Sequence, residues 1–520
     1  MGFSAVDYLV LLLYLIGITI FGTRFRKTQK SVKDYFVGAR NINWVIISLS
    51  IVATETSTLT LVGVPAMAYA KFARPEQGGN FTYLQVVFGY IVARIVISLF
   101  FIPAYFKGEL LTAYDLLKNR FGVGTKNFAA SLFLIMRALA EGVRIFAASL
   151  VLSAVLGASL PNLPGLWLWS ISIVGLLTLI YTFEGGIAAV IWTDLIQLII
   201  YIGGSLLAAY KLSRLIPGGW PAISGIASEA GKFQVFSFSW DFGVPHTFWA
   251  GLLGGAFLTM ASHGTDQLMV QRLFTCRDQR DSQKALIFSG FVVLFQFALF
   301  MLIGVMLFVY YEFFPLTAKL TSNDQIFPTF IVERLPHGVS GLVIAAIFAA
   351  AMSNLSGSLN SLASTTALDL YKPLIAPNAS DENLLRLSRW LTAAWGVVLI
   401  LIAIVARRVG SVFIAGLTIA SLVYGPLLGA FLLGIATRRA NQRGVIAGMS
   451  ASLIVMSLIW AAANLPSARQ ILPLSIAWTW YVLVGTIICF AVGYVVSLMS
   501  PVKAAEGSEE LSKSTTPSKR

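Results

Sequence analysis

Thirteen apolar stretches run through the 520 residues, each long enough to cross roughly 30 Å of hydrocarbon. They fall at about 5–23, 42–71, 81–105, 128–157, 166–184, 188–211, 247–270, 284–311, 338–367, 385–407, 411–436, 442–463 and 475–499. With 57% of residues hydrophobic and 12% charged, the chain has about half the charge a soluble fold of this length would need to cover its surface. Lipid must cover most of it. An odd number of crossings puts the two termini on opposite sides of the membrane.

A net charge of +14 would point to nucleic acid in a soluble protein. Here the basic residues sit between apolar stretches and are read as topology signals, so no nucleic-acid partner is expected. Arg24, Arg26, Lys27, Lys30, Lys33 and Arg40 follow the first stretch, and Lys107, Lys118, Arg120 and Lys126 follow the third. Arg272, Arg277 and Arg280, then Arg438, Arg439 and Arg443, fall on the same side. That side is cytoplasmic, which predicts an external N-terminus and a cytoplasmic C-terminus in a multi-pass protein of the inner (plasma) membrane. Residues 501–520, rich in Ser, Glu, Lys and Thr, are expected to be a disordered tail. The N-terminus has no basic leader and is expected to be a retained helix. Cys276 and Cys489 have neither disulfide pairing nor metal-ligand spacing.

Polar groups at membrane depth cost several kcal/mol each unless paired, so their positions are informative. The second stretch carries Thr54, Glu55, Thr56, Ser57, Thr58 and Thr60 in one run, then Gly63 and Pro65. Proline removes a helical hydrogen bond and small residues tolerate unwinding, so this segment is expected to expose main-chain carbonyls. Carbonyls and hydroxyls suit a hard cation such as sodium. The competing reading is a Ser/Thr-rich packing face with a proline kink, against which Glu55 counts, because a buried carboxylate needs a partner.

The ninth stretch carries Ser353, Asn354, Ser356, Ser358, Asn360, Ser361 and Ser364, more polarity than close helix packing needs. Asp194 in the sixth wants a hydroxyl network or a cation. Arg137, Glu141 and Arg144 in the fourth share one helical face, either as a self-satisfied ion cluster or with Arg144 free to hold a carboxylate bidentately. His263 reads as a packing or gate residue. No metal-ligand cluster, nucleophile elbow or phosphate-binding glycine loop is present, so catalysis is not expected.

Together with the two polar stretches, the segments DYFVGARNINW, AYDLLKNRFG, YTFEGGIAAVIWTD, TDQLMVQR and LVYGPLLGAFLLGI resemble, in this order, the sodium:solute symporter family. Its members include bacterial sialic acid and galactose symporters and the animal sodium-glucose carriers of solute carrier family 5. The resemblance implies an all-α integral membrane protein of the LeuT type, with five-plus-five inverted repeats and about thirteen transmembrane helices. It divides the chain into a leading helix and connection (1–41), a first repeat (42–211), an extracellular loop (212–246), a second repeat (247–436), two trailing helices (437–500) and the tail.

By position, the resemblance places sodium on the main-chain carbonyls of Ala53 and Thr56 and on Ala350, Ser353 and Asn354, with Asn354 where many members have a hydroxyl residue. A second sodium would fall on Asp194, Ser353 and Ser356, although Gly357 stands where another hydroxyl would be. Solute contacts carry over to Glu55, Ser57, Thr60, Tyr83, Val87, Ser262 and Thr418, with Arg144 one turn from the position that holds a sialic acid carboxylate. The implied function is sodium-coupled symport of a small polar solute by alternating access, a sugar acid or other carboxylate first. Neutral sugars, amino acids and monocarboxylates are alternatives, as are a proton-coupled carrier and a membrane sensor of the same fold. The expected partners are the solute, sodium ions and the bilayer, and a monomer is compatible with all of this.

Overall fold

The computed structural model describes residues 3–38, 41–71, 77–108, 110–159, 165–316, 320, 322–406, 412–464 and 476–499, with main chain alone at 28, 154–159, 412–419 and 464. Arg40 and the tail at 501–520 lie outside the described residues. Among those residues every regular element is helical: α1 (Ala5–Thr23), α2 (Trp44–Glu55), α3 (Thr58–Tyr69), α4 (Leu84–Val96), α5 (Val123–Ser159), α6 (Leu166–Leu215), α7 (Gly219–Glu229), α8 (Gly255–Gly264), α9 (Gln267–Phe274), α10 (Gln279–Phe313), α11 (Val339–Ser364), α12 (Asp381–Ala406), α13 (Val412–Ala436), α14 (Gln442–Asn464) and α15 (Tyr481–Met499), plus shorter turns of helix.

By length and apolarity, eight described helices can cross a membrane, or nine when the pair α2 and α3 counts as one bent crossing. The thirteen crossings expected from the sequence exceed that number. One reason is α6, whose 50 residues would run about 75 Å if straight, more than twice the hydrocarbon thickness. The sequence predicts two crossings here, at 166–184 and 188–211. The structure has two helices there as well, kinked apart at Gly186, whose φ of 52° and ψ of −152° are not helical. A Cβ at Gly186 would also meet the Tyr35 carbonyl oxygen at 2.6 Å.

Two helices are interrupted. α2 and α3 meet at 66° across Thr56 and Ser57, both extended, at ψ 106° and 170°. The stretch expected as one helix at 247–270 is likewise broken: α8 ends at Gly264, and α9 restarts after Asp266, whose side chain accepts from the Leu268 amide. Proline 65 and glycine 304 show how closely α3 packs on α10, since a Cβ on Gly304 would run into the Pro65 carbonyl.

Two charged side chains hold helix ends across the bundle. Asp7 Oδ1 near the start of α1 accepts from the amides of Gly338 (2.7 Å) and Gly341 (2.9 Å) and from Ser340 Oγ (2.8 Å) at the start of α11. An anion there satisfies free amides and meets the positive end of the helix. Lys232, in the connection after α7, does the reverse: its ammonium donates to the carbonyls of Ala68 (3.1 Å), Tyr69 (3.0 Å) and Ala70 (2.7 Å) at the end of α3. Burial, with Lys71 nearby, pushes its amine down to about 8.

Gly186→Ala should cost on the order of 1–3 kcal/mol through its backbone conformation alone, whereas Gly203→Ala, where a Cβ meets nothing within 4 Å, should be near neutral. Thermal unfolding of the two variants in detergent checks the pair.

Candidate functional site

The interruption between α2 and α3 leaves main-chain groups without helical partners, and side chains from three other helices reach the break, one to a carbonyl and two to the Thr56 hydroxyl. The last helical amide is that of Thr56, on Val52 O at 3.1 Å. Thr56 Oγ1 also donates to Val52 O (2.8 Å) and accepts from Tyr201 OH of α6 (3.2 Å) and Gln296 Nε2 of α10 (2.6 Å). From α11, Asn354 Nδ2 donates to Thr54 O at 2.6 Å, and Thr58 Oγ1 donates back to Ile347 O at 3.3 Å. The helix break and the polar part of α11 therefore face each other, as the sequence predicts for 53–56 and 350–354.

The side chains expected to ligate sodium are engaged with protein. Ser353 Oγ donates to Asp194 Oδ1 at 2.6 Å, and Asn354 Oδ1 accepts from Arg144 Nη1 at 3.1 Å. Ala53 and Ala350 are fully buried. With Thr56 and Ser57 extended, the Ala53 carbonyl points toward no helical amide of its own segment.

Asp194 answers both readings that the sequence left open. It sits in a hydroxyl network and beside a cation, but the cation is Arg272 of α9, which the sequence reading did not pair with it. Asp194 Oδ2 accepts from Ser50 Oγ (2.6 Å), Thr54 Oγ1 (3.1 Å) and Arg272 Nη2 (3.0 Å), and both charged side chains are fully buried. A Cβ on Gly357 would lie 2.7 Å from Arg272 Nη2, so the guanidinium lies against the position where a further hydroxyl was looked for. Ser356 Oγ turns back to Ser353 O at 3.0 Å.

Beside the break lies a cavity. Its wall includes Glu55, Ser57, Thr60, Tyr83, Arg144 and Ser262 of the expected solute contacts, with Asn354. Val87 is fully buried and is not part of that wall. The side chain of Thr418 lies outside the described residues. Glu55 meets Arg94 Nη2 and lies 3.5 Å from His263 Nε2. Arg94 is not among the residues expected at the site, although an arginine in the apolar run LQVVFGYIVARIV is itself a signal. Tyr90 joins Tyr83 at 3.3 Å, and Tyr83 stacks on Phe297 with centroids 5.5 Å apart.

The Arg137, Glu141 and Arg144 face is not a closed cluster. Arg137 pairs instead with Asp266 at the second helix break, where Tyr424 OH donates to the same carboxylate oxygen at 2.8 Å. Glu141 accepts from Ser358 Oγ at 2.9 Å and from Arg144 at 3.4 Å. The side chains of Arg94, Arg137 and Arg272 are at most 3% exposed, whereas Arg144 keeps 25% exposed on the cavity side.

Comparison with known proteins gives one consistent result. The model of the sodium:solute symporter family matches residues 35–452. The sodium/sialic acid symporter NanT of Aliivibrio fischeri is 29% identical, over 96% of this chain and 94% of that protein. The sodium-dependent multivitamin transporter of Oryctolagus cuniculus is 32% identical, over 87% of this chain and 70% of that one. A solved structure of a sodium-coupled sialic acid symporter, in a substrate-bound outward-open state, superposes with a TM-score of 0.84 at 28% identity, covering 96% of this chain and 98% of that one. The all-α membrane fold of the LeuT type, expected from the sequence, is the fold of this chain.

The Asp194 and Arg272 pair generates a stability prediction. Arg272→Met leaves a buried carboxylate without its counter-charge and should destabilise by roughly 3–5 kcal/mol. Adding Asp194→Asn should recover much of that loss. Thermal unfolding of the single and double variants measures the coupling.

Proposed function

The chain belongs to the sodium:solute symporter family, and from that premise we propose that it carries a small organic carboxylate, a sugar acid such as sialic acid first, together with sodium by alternating access. As a member of that family it is a carrier and not an enzyme, and sodium is its co-substrate. The observation that carries the choice of solute is Arg144. It is the least buried of the four arginines paired near the two breaks, it faces the cavity, and its carboxylate partner is also held by a serine hydroxyl. A guanidinium so placed offers a planar fork to an incoming carboxylate. Glu55, Ser57, Thr60, Tyr83 and Ser262 supply hydroxyls and a second charge around the rest of the solute.

Sodium is assigned to the ground between the break and α11, on the carbonyls of Ala53 and Thr56 and on Ala350, Ser353 and Asn354. Support comes from the interrupted backbone facing a polar helix. In this reading Ser353 turns from Asp194 and Asn354 Oδ1 from Arg144 to meet the ion, which releases the Arg144 guanidinium for the solute and so links the two binding events. A second sodium on Asp194, Ser353 and Ser356 has less support, because Asp194 is already met by Arg272 and three hydroxyls. Proton coupling is disfavoured on similar grounds: protonating Glu55 or Asp194 would leave Arg94 or Arg272 uncompensated in the bundle.

The assignment extends to topology. It takes thirteen crossings in the inner membrane, repeats at 42–211 and 247–436, an external N-terminus and a cytoplasmic C-terminus, supported by the basic connections after the first and third stretches. One sodium moving down about 100 mV contributes roughly 2.3 kcal/mol.

In liposomes holding the purified protein, an inward sodium gradient should drive uptake of N-acetylneuraminate. Ser353→Ala should raise the sodium concentration for half-maximal uptake. Arg144→Met should raise the solute KM about tenfold or more, with sodium-induced thermal stabilisation retained. Uptake indifferent to the gradient would overturn the coupling, and uptake of a neutral hexose in preference would overturn the solute assignment.

A further inference from the structure

The connection from Lys232 to Trp249 has aromatic residues at every second position in one run: Phe236, Phe238, Trp240 and Phe242. Through Asp241 that run is neither helix nor strand, and Phe236 and Phe238 share a side, with their rings stacked. All four project outward, at 49%, 61%, 63% and 54% exposed. The main chain between them is tied to the bundle. The Ser237 amide donates to Gln85 Oε1 (3.0 Å), Gln85 Nε2 donates to His246 O (2.8 Å), and the Ala477 amide donates to Phe242 O (2.8 Å). The rings brace one another and the helix starts beneath them. Phe236 stacks on Phe238 at 5.9 Å, Trp240 on Trp249 at 4.5 Å, and Phe242 packs on Trp480 at 5.1 Å.

Several observations say what covers this row. It lies at one level, beside the first turns of α4, the helix beginning at Ala250, and α15. Beside it are Val92 and Ile95, on a helix long and apolar enough to cross the membrane, and Leu253, each about two-fifths exposed. Between 233 and 249 Asp241 is the one formally charged residue, while Lys232 is turned inward onto the carbonyls that end α3. Bulky aromatic rings at the ends of spans favour the headgroup and acyl boundary.

We propose that residues 236–242 form an interfacial anchor that rests in the lipid leaflet around the starts of α4 and α15. Because Lys232 begins the same connection, the anchor and the end of the outer half-helix α3 are joined by a few residues of chain. The leaflet thereby steadies the rim of the cavity while the helices beneath it rearrange.

The test does not depend on which solute is carried. Both native cysteines are buried, so Phe236→Cys and Phe238→Cys can be spin-labelled selectively in the full chain in phospholipid nanodiscs, with Glu229→Cys on α7 as the water-facing reference. Power saturation should show both aromatic positions more accessible to oxygen than to a water-soluble nickel chelate, with Glu229 the reverse. Greater access to nickel at 236 and 238 would make the row a water-exposed lid. Access to neither would make it a contact with a second copy. Either overturns the proposal. Without labelling, the fluorescence lost in Trp240→Phe should be the part that brominated lipid quenches, and its indifference to that lipid would overturn the proposal equally.

Discussion

A helix interrupted within hydrocarbon exposes amides and carbonyls that lipid cannot satisfy, and the surroundings of residues 56–57 are arranged to answer that constraint. α6 sends Tyr201, α10 sends Gln296 and α11 sends Asn354 to the break. Thr56 spends one hydroxyl on three partners, one carbonyl and two side chains. The helices that pack on the break are thus also the ones that hold it open. The second interruption, at Thr265 and Asp266, is handled differently. A carboxylate caps the restarting helix and a buried arginine balances it.

Charge in the interior obeys the same economy. Around the two breaks, four arginines meet four carboxylates: Arg94 with Glu55, Arg137 with Asp266, Arg144 with Glu141 and Arg272 with Asp194. A buried ion pair gives little net stability, but loss of one partner is costly, so such pairs resist change more than they strengthen the fold. In this set the looser member faces the cavity. Arg144 is thereby the most accessible of the four guanidiniums.

Much of this was legible from residues alone. Apolar length marked the membrane helices, and the run from Thr54 to Thr60 before Pro65 marked the first break, because both signals are local. Glu55 and Asp194 declared themselves as groups that need partners. Which partners they found depends on the rotation of one helix against another, and sequence spacing carries no record of that. Spacing therefore gives Arg94 no partner and reads Arg272 as a charge of a cytoplasmic connection, whereas it is fully buried against Asp194, and neither reading of the Arg137 to Arg144 face includes Asp266, the partner Arg137 finds on another element. The break at Thr265 escaped notice because it has no proline, only a Gly-Thr-Asp sequence within an apolar run. The division expected between 184 and 188 falls where Gly186 breaks the helical geometry of α6.

The Asp194 and Arg272 pair joins four elements by short bonds: α2 through Ser50 and Thr54, α6 through Asp194, α9 through Arg272 and α11 through Ser353. Parting α6 from α9 would strand a charge where neither water nor lipid can receive it, and parting α2 or α11 from them would strip hydroxyls from that buried carboxylate. The four segments should accordingly travel as one rigid block, and the seam along which the two halves of the carrier slide must pass outside it.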